Sequence, residues 1–210
     1  MDLATKKQEL AELRQRVETL ESEILSEEAK GKSWEASGFY GSYYAMSGLI
    51  LGIIGAIVSL LVNVIAAPIA GKNPLELIRV YLTFPLGEKA LQLTTGADDG
   101  MIIAIGCCLY IGTGMLLGMF IHVGLKRFVP NAGLGVRIIV ASIFATLLWL
   151  VNFYGLLAWL QPALFGGNWI TDNAVLPWWV AFATHLVFGW TMAVVYPWGQ
   201  YRPYVRPATA

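Results

Sequence analysis

The sequence predicts an all-α integral membrane protein in which four transmembrane helices form two repeated helical hairpins, preceded by a cytoplasmic helix. Of the 210 residues, 57% are apolar and only 13% are charged, whereas about a quarter of residues are charged in an average soluble domain. The charges are also uneven, because residues 1–33 carry half of them. This composition excludes a soluble globular enzyme and indicates a water-facing segment joined to a membrane domain.

The first element is a heptad helix over residues 1–30. Its apolar residues recur at spacings of three and four, which is the a/d pattern of a coiled coil. The residues predicted to dock onto a partner are Leu10, Leu13, Val17, Leu20 and Ile24. The stripe indicates either a coiled coil, with itself or with another protein, or an amphipathic helix lying against this protein or its membrane. Acids outnumber bases in this arm, so nucleic-acid binding is not expected.

Four apolar stretches without Asp, Glu, Lys or Arg are long enough to cross a bilayer, which takes about 20 helical residues. They are Ser47–Ile69, Met101–Val123, Ile138–Leu160 and Leu176–Tyr196. The flanking segments on one side carry eleven basic residues and those on the other side carry three. By the positive-inside rule, both termini are expected in the cytoplasm. The predicted location is the bacterial inner membrane, with a multi-pass topology.

These spans divide the chain into five predicted segments. They are the heptad helix (1–30), a linker with interfacial aromatic residues (31–46), the first hairpin (47–124), the second hairpin (125–198) and a cytoplasmic tail (199–210). Within the first hairpin, Asn73-Pro74-Leu75-Glu76 is typical of a helix start. It predicts a short helix over about 74–84 in the outer interface.

The second hairpin repeats the first in two short matches. The segment 61–63 (Leu-Val-Asn) matches 150–152, and the segment 108–112 (Cys-Leu-Tyr-Ile-Gly) matches 185–189 (His-Leu-Val-Phe-Gly). Two hairpins of the same orientation predict a parallel repeat, related by an axis along the membrane normal.

Four of the matched residues share one predicted depth in the membrane. At 1.5 Å per helical residue, Asn63, Asn152, Cys108 and His185 lie at a similar level. Polar groups at one depth in hydrocarbon are expected to find one another. We therefore predict a polar intramembrane layer of these four residues, in which Asn63, Asn152 and His185 form a hydrogen-bonded interhelical clamp.

His185 also has a ligand-binding interpretation, as a ligand to haem iron or a partner of a quinone headgroup. The other histidine, His122, differs from it in depth by about 13 residues, or roughly 20 Å. One haem therefore cannot use both histidines. Beyond this haem or quinone alternative, no cofactor and no metal site is predicted. The adjacent Cys107 and Cys108 are interpreted as small core residues.

Two small-residue motifs predict close helix packing. Gly48-x-x-x-Gly52 lies in the first span and Gly114-x-x-x-Gly118 lies in the second. Small residues at this spacing let helix backbones approach each other. The motifs alone do not identify which helix is the partner.

The spans lack the buried carboxylates and cations on which ion-coupled transport depends. No nucleophile with a base and no metal cluster is recognisable in the sequence, so an enzyme is not expected. The segment from His185 and Gly189 to Tyr196 resembles small uncharacterised bacterial inner-membrane proteins built from a duplicated two-span unit. The resemblance implies the four-helix fold and no particular activity, and the first repeat departs from it by placing Cys108 where the second has His185.

The leading hypothesis is a non-catalytic accessory subunit of a larger bacterial membrane complex, of the respiratory or photosynthetic electron-transfer kind. Its expected partners are other membrane subunits and lipids. One alternative is a homo-oligomeric channel or carrier for a small neutral or lipidic solute. The other is a haem- or quinone-binding membrane protein that uses His185.

Overall fold

A computed structural model describes residues 2–29, 40–69, 71–94 and 96–201. They form helices, turns and loops, and no strand occurs among them. The α-helices are α1 (Leu3–Ala29), α2 (Tyr40–Ile69), α3 (Glu76–Leu86), α4 (Ala97–Phe128), α5 (Leu134–Leu150), α6 (Ala158–Phe165) and α7 (Trp178–Val195). A π-helical segment, Val151–Leu157, joins α5 to α6, and 3-10 helices cover Gly87–Gln92 and Tyr196–Gly199. The predicted linker lies outside the described residues except for 40–46, and so does the predicted tail beyond 201.

Four helical stretches are long and apolar enough to span a membrane. They are Gly41–Ile69, Asp99–Phe128, Leu134–Phe165 and Trp178–Gly199. Each overlaps one predicted span, which confirms the all-helical fold class with four candidate spans. The first three extend beyond their predictions because backbone hydrogen bonding continues past the residues that are apolar enough for hydrocarbon.

The chain forms two units, of which α1 is one and the bundle from α2 onward is the other. The two ends of the bundle differ in charge. We call the end with the α4–α5 turn the basic end, because Lys126, Arg127 and Arg137 lie there. The opposite end, which holds α3, is the α3 end.

Helix α2 is the central element of the bundle. It packs against α4 on one side and α7 on the other, and α5 packs against α7. Although α4 and α5 follow each other in the chain, they touch only slightly. Helix α3 contacts both α4 and α6. It therefore bridges the gap that the weak α4–α5 contact leaves.

The two glycine motifs pack against each other within the chain. A Cβ atom added to Gly52 would lie 2.5 Å from the Gly114 carbonyl oxygen, and one added to Gly118 would lie 2.5 Å from the Gly52 Cα atom. A Cβ atom on Gly48 would lie 2.7 Å from the Cα atom of Met119. Only residues without a side chain let the backbones of α2 and α4 come this close. The structure thereby identifies the partner that the motifs alone left open.

The second hairpin has one comparable contact. A Cβ atom on Gly189 of α7 would lie 2.9 Å from the Cβ atom of Ala145 and 3.0 Å from the carbonyl oxygen of Ala141, both on α5. The sequence repeat aligns Gly189 with Gly112, yet a Cβ atom on Gly112 would meet nothing within 4 Å. Matched positions thus have different surroundings, and the parallel repeat stays a prediction.

Helix α3 is packed into the bundle more deeply than a helix that lies in the interface. The side chain of Asn73 accepts a hydrogen bond from the Leu75 N–H at 2.9 Å, and the helix begins after this turn at Glu76. It ends at Leu86, so its range is shifted by two residues from the predicted 74–84. Ile78 and Leu82 are fully buried and pack over Gly106 of α4.

We expect Gly118→Ala to destabilise the bundle, because its new Cβ atom would overlap the backbone of α2. Overpacking of this kind costs about 1–3 kcal/mol of unfolding free energy. The matched control is Gly112→Ala, earlier in the same helix, where the added methyl meets open space. Thermal unfolding of both variants in detergent checks this expectation. Equal melting temperatures for the two variants would contradict the close α2–α4 contact.

Candidate functional site: a lateral cavity

A cavity of about 510 Å³ lies against α3, between α4 and the π-helical segment that follows α5. Side chains of α2, α3, α4, α7 and the π-helical segment line it. None of the described residues that line it carries a formal charge, and most of them are aliphatic or aromatic. Small-molecule sites typically occupy about 300–1,000 Å³ and are lined mainly by apolar groups with a few polar ones.

The mouth of the cavity lies at the side of the bundle. Among its lining residues, Leu109 of α4 and Leu156 of the π-helical segment are 46% and 42% exposed, and Pro85 of α3 is exposed as well. These residues belong to the elements that flank the α4–α5 gap. A bilayer around the four spans would therefore meet this opening with its hydrocarbon chains.

Two pairs of hydroxyl groups on the wall are mutually satisfied. The hydroxyl of Tyr110 lies 2.8 Å from that of Ser59, and Ser59 donates to a carbonyl of its own helix at 3.1 Å. Tyr81 is hydrogen-bonded to Thr113, which donates to its own helix in the same way. Burial raises the pKa of Tyr81, with the Thr113 hydrogen bond opposing part of the change. These pairs tie α2 and α3 to α4.

A third polar contact joins α2 to α7. The amide nitrogen of Asn63 donates to the Thr184 hydroxyl at 2.9 Å and to the Ser59 carbonyl at 2.8 Å. The Nδ1 atom of His185 instead lies 2.8 Å from the carbonyl oxygen of Ala181 in its own helix. Adjacent residues of a helix point about 100° apart. Helix α7 therefore presents Thr184, and not His185, to Asn63.

The structure distributes the four residues of the predicted polar layer over different faces. Asn152 and His185 line the cavity. Asn63 lies behind the wall and reaches it through Thr184. Cys108 is exposed on α4 and is not a lining residue. A common depth does not determine the direction in which a helix points its side chains.

Two lining groups have unused hydrogen-bonding capacity. Among the residues that the structure describes, neither the Asn152 amide nor the Nε2 atom of His185 has a hydrogen-bond partner, whereas every other polar side chain of the wall has one. The Ala181 carbonyl can only accept, so Nδ1 of His185 carries the hydrogen. Nε2 of the neutral ring is consequently an acceptor, while the Asn152 amide both donates and accepts.

The π-helical segment forms one wall of the cavity. It presents Asn152, Phe153, Leu156 and Leu157 to the interior, and the N–H of Ala158 bonds to the carbonyl five residues earlier. This wider turn changes which side chains face inward, and π-helical turns occur often at functional sites. No pattern in the sequence predicted this segment. Its one local signal is Gly155, a weak helix former inside an apolar span.

Gln161 is a second feature of this region that the sequence patterns did not predict. Its side chain is fully buried and donates to the Thr83 hydroxyl of α3 at 3.0 Å. Its carbonyl oxygen accepts from the Ile170 N–H at 2.9 Å. One amide thus fastens α3 and the following loop to α6 above the cavity. A lone polar residue between apolar neighbours was the available signal.

The second histidine lies at the basic end and does not line the cavity. His122 is fully buried, with ring centroids of Tyr44 and Tyr196 at 5.8 and 5.3 Å. A Cβ atom on Gly199 would lie 2.7 Å from its ring. The imidazole thus fills the space where α2, α4 and the final 3-10 helix meet.

Haem fits the cavity poorly. Nε2 of His185 is chemically able to bind iron, but haem also brings two propionates, which need cationic or multiple hydrogen-bonding partners. In the part of the chain that the structure describes, no Lys or Arg lines the cavity. An uncharged molecule with a small polar head and an apolar body fits the same residues better.

Comparison with protein-family models, with curated proteins and with solved structures gives no match to this chain. The chemistry of the cavity is therefore the basis for proposing a function.

We expect Gln161→Leu to lower the unfolding free energy by about 1–3 kcal/mol, because the Ile170 N–H and the Thr83 hydroxyl lose a buried partner. Thermal unfolding in detergent is the measurement. Gln92→Leu, at an exposed position of the neighbouring 3-10 helix, is the control and should leave the melting temperature nearly unchanged. A Gln161→Leu variant as stable as the Gln92→Leu variant would show that this amide does not hold α3.

Proposed function

We propose that this chain is a non-catalytic, multi-pass protein of the bacterial inner membrane that binds an elongated, uncharged molecule of the quinol or hydroxylated-lipid class. Both termini lie in the cytoplasm in this proposal. One observation carries it: an apolar cavity, open toward the side of the bundle, holds two polar groups without a hydrogen-bond partner among the described residues. These groups are the Asn152 amide and Nε2 of His185.

At a site that opens toward the bilayer, polar contacts determine which ligand binds. A ligand that enters from the bilayer leaves one apolar environment for another, so burial of its body contributes little free energy. Each hydrogen bond contributes about 0.5–1.5 kcal/mol net. Two such bonds therefore favour a ligand with a matching head over a plain hydrocarbon chain by roughly tenfold or more.

The tautomer of His185 specifies the ligand head further. Because Nδ1 donates to the Ala181 carbonyl, Nε2 accepts and requires a donor such as a hydroxyl group. A quinol or a lipid alcohol supplies that donor. A quinone carbonyl does not, and would find only the Asn152 amide.

The accessory-subunit hypothesis remains a proposal alongside this one. It is supported by the exposed apolar stripe of α1, whose members Leu10 and Leu13 are 49% and 56% exposed. An accessory chain that holds a lipid or quinol would serve a larger electron-transfer assembly. Gentle purification followed by mass spectrometry tests this: large co-purifying subunits support the hypothesis, and their absence opposes it.

We expect His185→Phe to weaken binding of a hydroxyl-bearing ligand about three- to tenfold, the equivalent of one lost hydrogen bond. The probes are a benzoquinol with a ten-carbon tail and its dimethyl ether, and native mass spectrometry measures the bound fraction. Stability should change little, since the lost hydrogen bond lies within one helix. Ether binding should stay the same in both proteins. Equal loss for both probes would contradict the acceptor role of His185.

We expect Leu156→Trp to obstruct the mouth and lower binding of both probes at least severalfold, because the indole is larger than the side chain it replaces. The control is Ile143→Trp, at an exposed position of α5 that does not line the cavity. Binding is measured as above, after thermal unfolding shows that both variants are folded. Unchanged probe binding in folded Leu156→Trp would place the binding site outside this cavity.

A further inference from the structure

Helix α1 exposes an apolar stripe from Leu3 to Ile24, in which the d position near the start is Lys6 and the d position after the stripe is Glu27. Its members Leu3, Leu10, Leu13, Val17, Leu20 and Ile24 are each between 49% and 67% exposed. They occupy the a and d positions of a heptad register in which Leu3 is an a position. The residues that flank this seam, at e and g, determine which helix can cover it.

We propose that α1 pairs with the α1 of a second copy of this chain, as a parallel, in-register, two-stranded coiled coil. In this arrangement each g residue faces the e residue five positions later in the partner helix. The first three such pairs are Asp2 with Lys7, Glu9 with Arg14, and Arg16 with Glu21. All three are of opposite charge, and symmetry forms each of them twice.

The fourth g–e pair consists of like charges and therefore disfavours this arrangement, but it lies at the end of the helix. The sequence places acids, Glu23 and Glu28, at the last g and e positions. Like charges there weaken pairing only in the final turns of the seam. The complementary pairs flank the part of the seam that contains Leu10, Leu13 and Val17.

An antiparallel pair either has the wrong charges or buries the seam less well, depending on its register. With the seams overlaid end to end, Arg14 would face Arg14 of the other copy, and Arg16 would face Arg16. Glu9 would face Glu23, and within α1 only Lys7 with Glu21 would be complementary. A register shifted by one heptad pairs Arg14 with Glu21 and Arg16 with Glu23, but it sets Leu10 against Glu27 and leaves Leu3 without a seam partner. Two copies inserted into one membrane with the same topology have their α1 helices on the same side, so the helices can meet. The parallel register combines opposite charges in three of its four e/g pairs with the longest apolar seam.

The seam residues agree with a two-stranded coil. The a positions are leucine in the first half of the helix (Leu3, Leu10) and β-branched in the second half (Val17, Ile24), and Leu13 and Leu20 occupy d positions. β-Branched residues at a with leucine at d favour two parallel strands. The uninterrupted apolar seam, Leu10–Ile24, covers only about two heptads, but confinement to a membrane raises the local concentration of the partner helix.

Disulfide trapping in the full-length chain tests the proposal. In a Cys107→Ala, Cys108→Ala background, Val17→Cys places one thiol at an a position, where the two chains approach most closely. Mild oxidation of native membranes should convert most of this variant to a covalent dimer. Ser22→Cys, at the solvent-facing f position, is the matched control and should stay monomeric.

Charge reversal tests the register independently. Adding Glu9→Lys to the Val17→Cys variant sets a lysine side chain against Arg14 of the second copy, and should lower the trapped fraction about fivefold. Adding Arg14→Glu as well restores opposite charges and should restore trapping.

Three results would overturn the proposal. The first is no trapped dimer of Val17→Cys. The second is trapping of Val17→Cys only with Leu13→Cys or Leu20→Cys chains, which mark the two antiparallel registers. The third is a Val17→Cys adduct with a different protein. Failure of the charge swap to restore trapping would overturn the e/g pairing. None of these results depends on ligand binding in the cavity.

Discussion

The close contact between α2 and α4 determines where the other helices of the bundle lie. Because Gly52 and Gly118 have no side chains, the two backbones come so close that a Cβ atom would not fit between them. Helix α7 then occupies the other side of α2, and α5 packs on α7. This chain of contacts leaves α5 apart from α4. Helix α3 covers the resulting gap, and the cavity lies inside it.

The polar side chains of the bundle act where the glycine contact ends. Beyond Gly52 along α2, Ser59 bonds to Tyr110 of α4 and Asn63 bonds to Thr184 of α7. In hydrocarbon there is little hydrophobic gain from helix association, so close packing and interhelical hydrogen bonds supply the stability. Gln161 supplies such a hydrogen bond to Thr83 of α3. Close backbone packing therefore holds α2 and α4 together near the basic end. Toward the α3 end, hydrogen bonds hold them together.

Sequence patterns predict the features that depend on composition. They miss the features that depend on the direction in which a helix points its side chains. The four spans follow from uncharged apolar stretches, and close packing at Gly48, Gly52, Gly114 and Gly118 follows from their spacing. The polar layer was placed by depth, which says nothing of rotation about the helix axis. As a result, Thr184 stands where His185 was expected to meet Asn63. The π-helical segment was not predicted, because a wider helical turn does not change the hydropathy of the sequence that forms it.

The cost of an unsatisfied polar group is the reason to expect a ligand in this cavity. A polar group that faces an apolar environment without a partner is unfavourable, and the wall of the cavity avoids this at Ser59, Tyr81, Tyr110 and Thr184, while the half-buried Asn152 and His185 face the cavity. A leucine in place of Asn152 would remove the unpartnered amide from the wall. An amide retained against hydrocarbon, together with a histidine acceptor on the wall of the same cavity, is instead consistent with a site whose polar partner arrives from outside the chain.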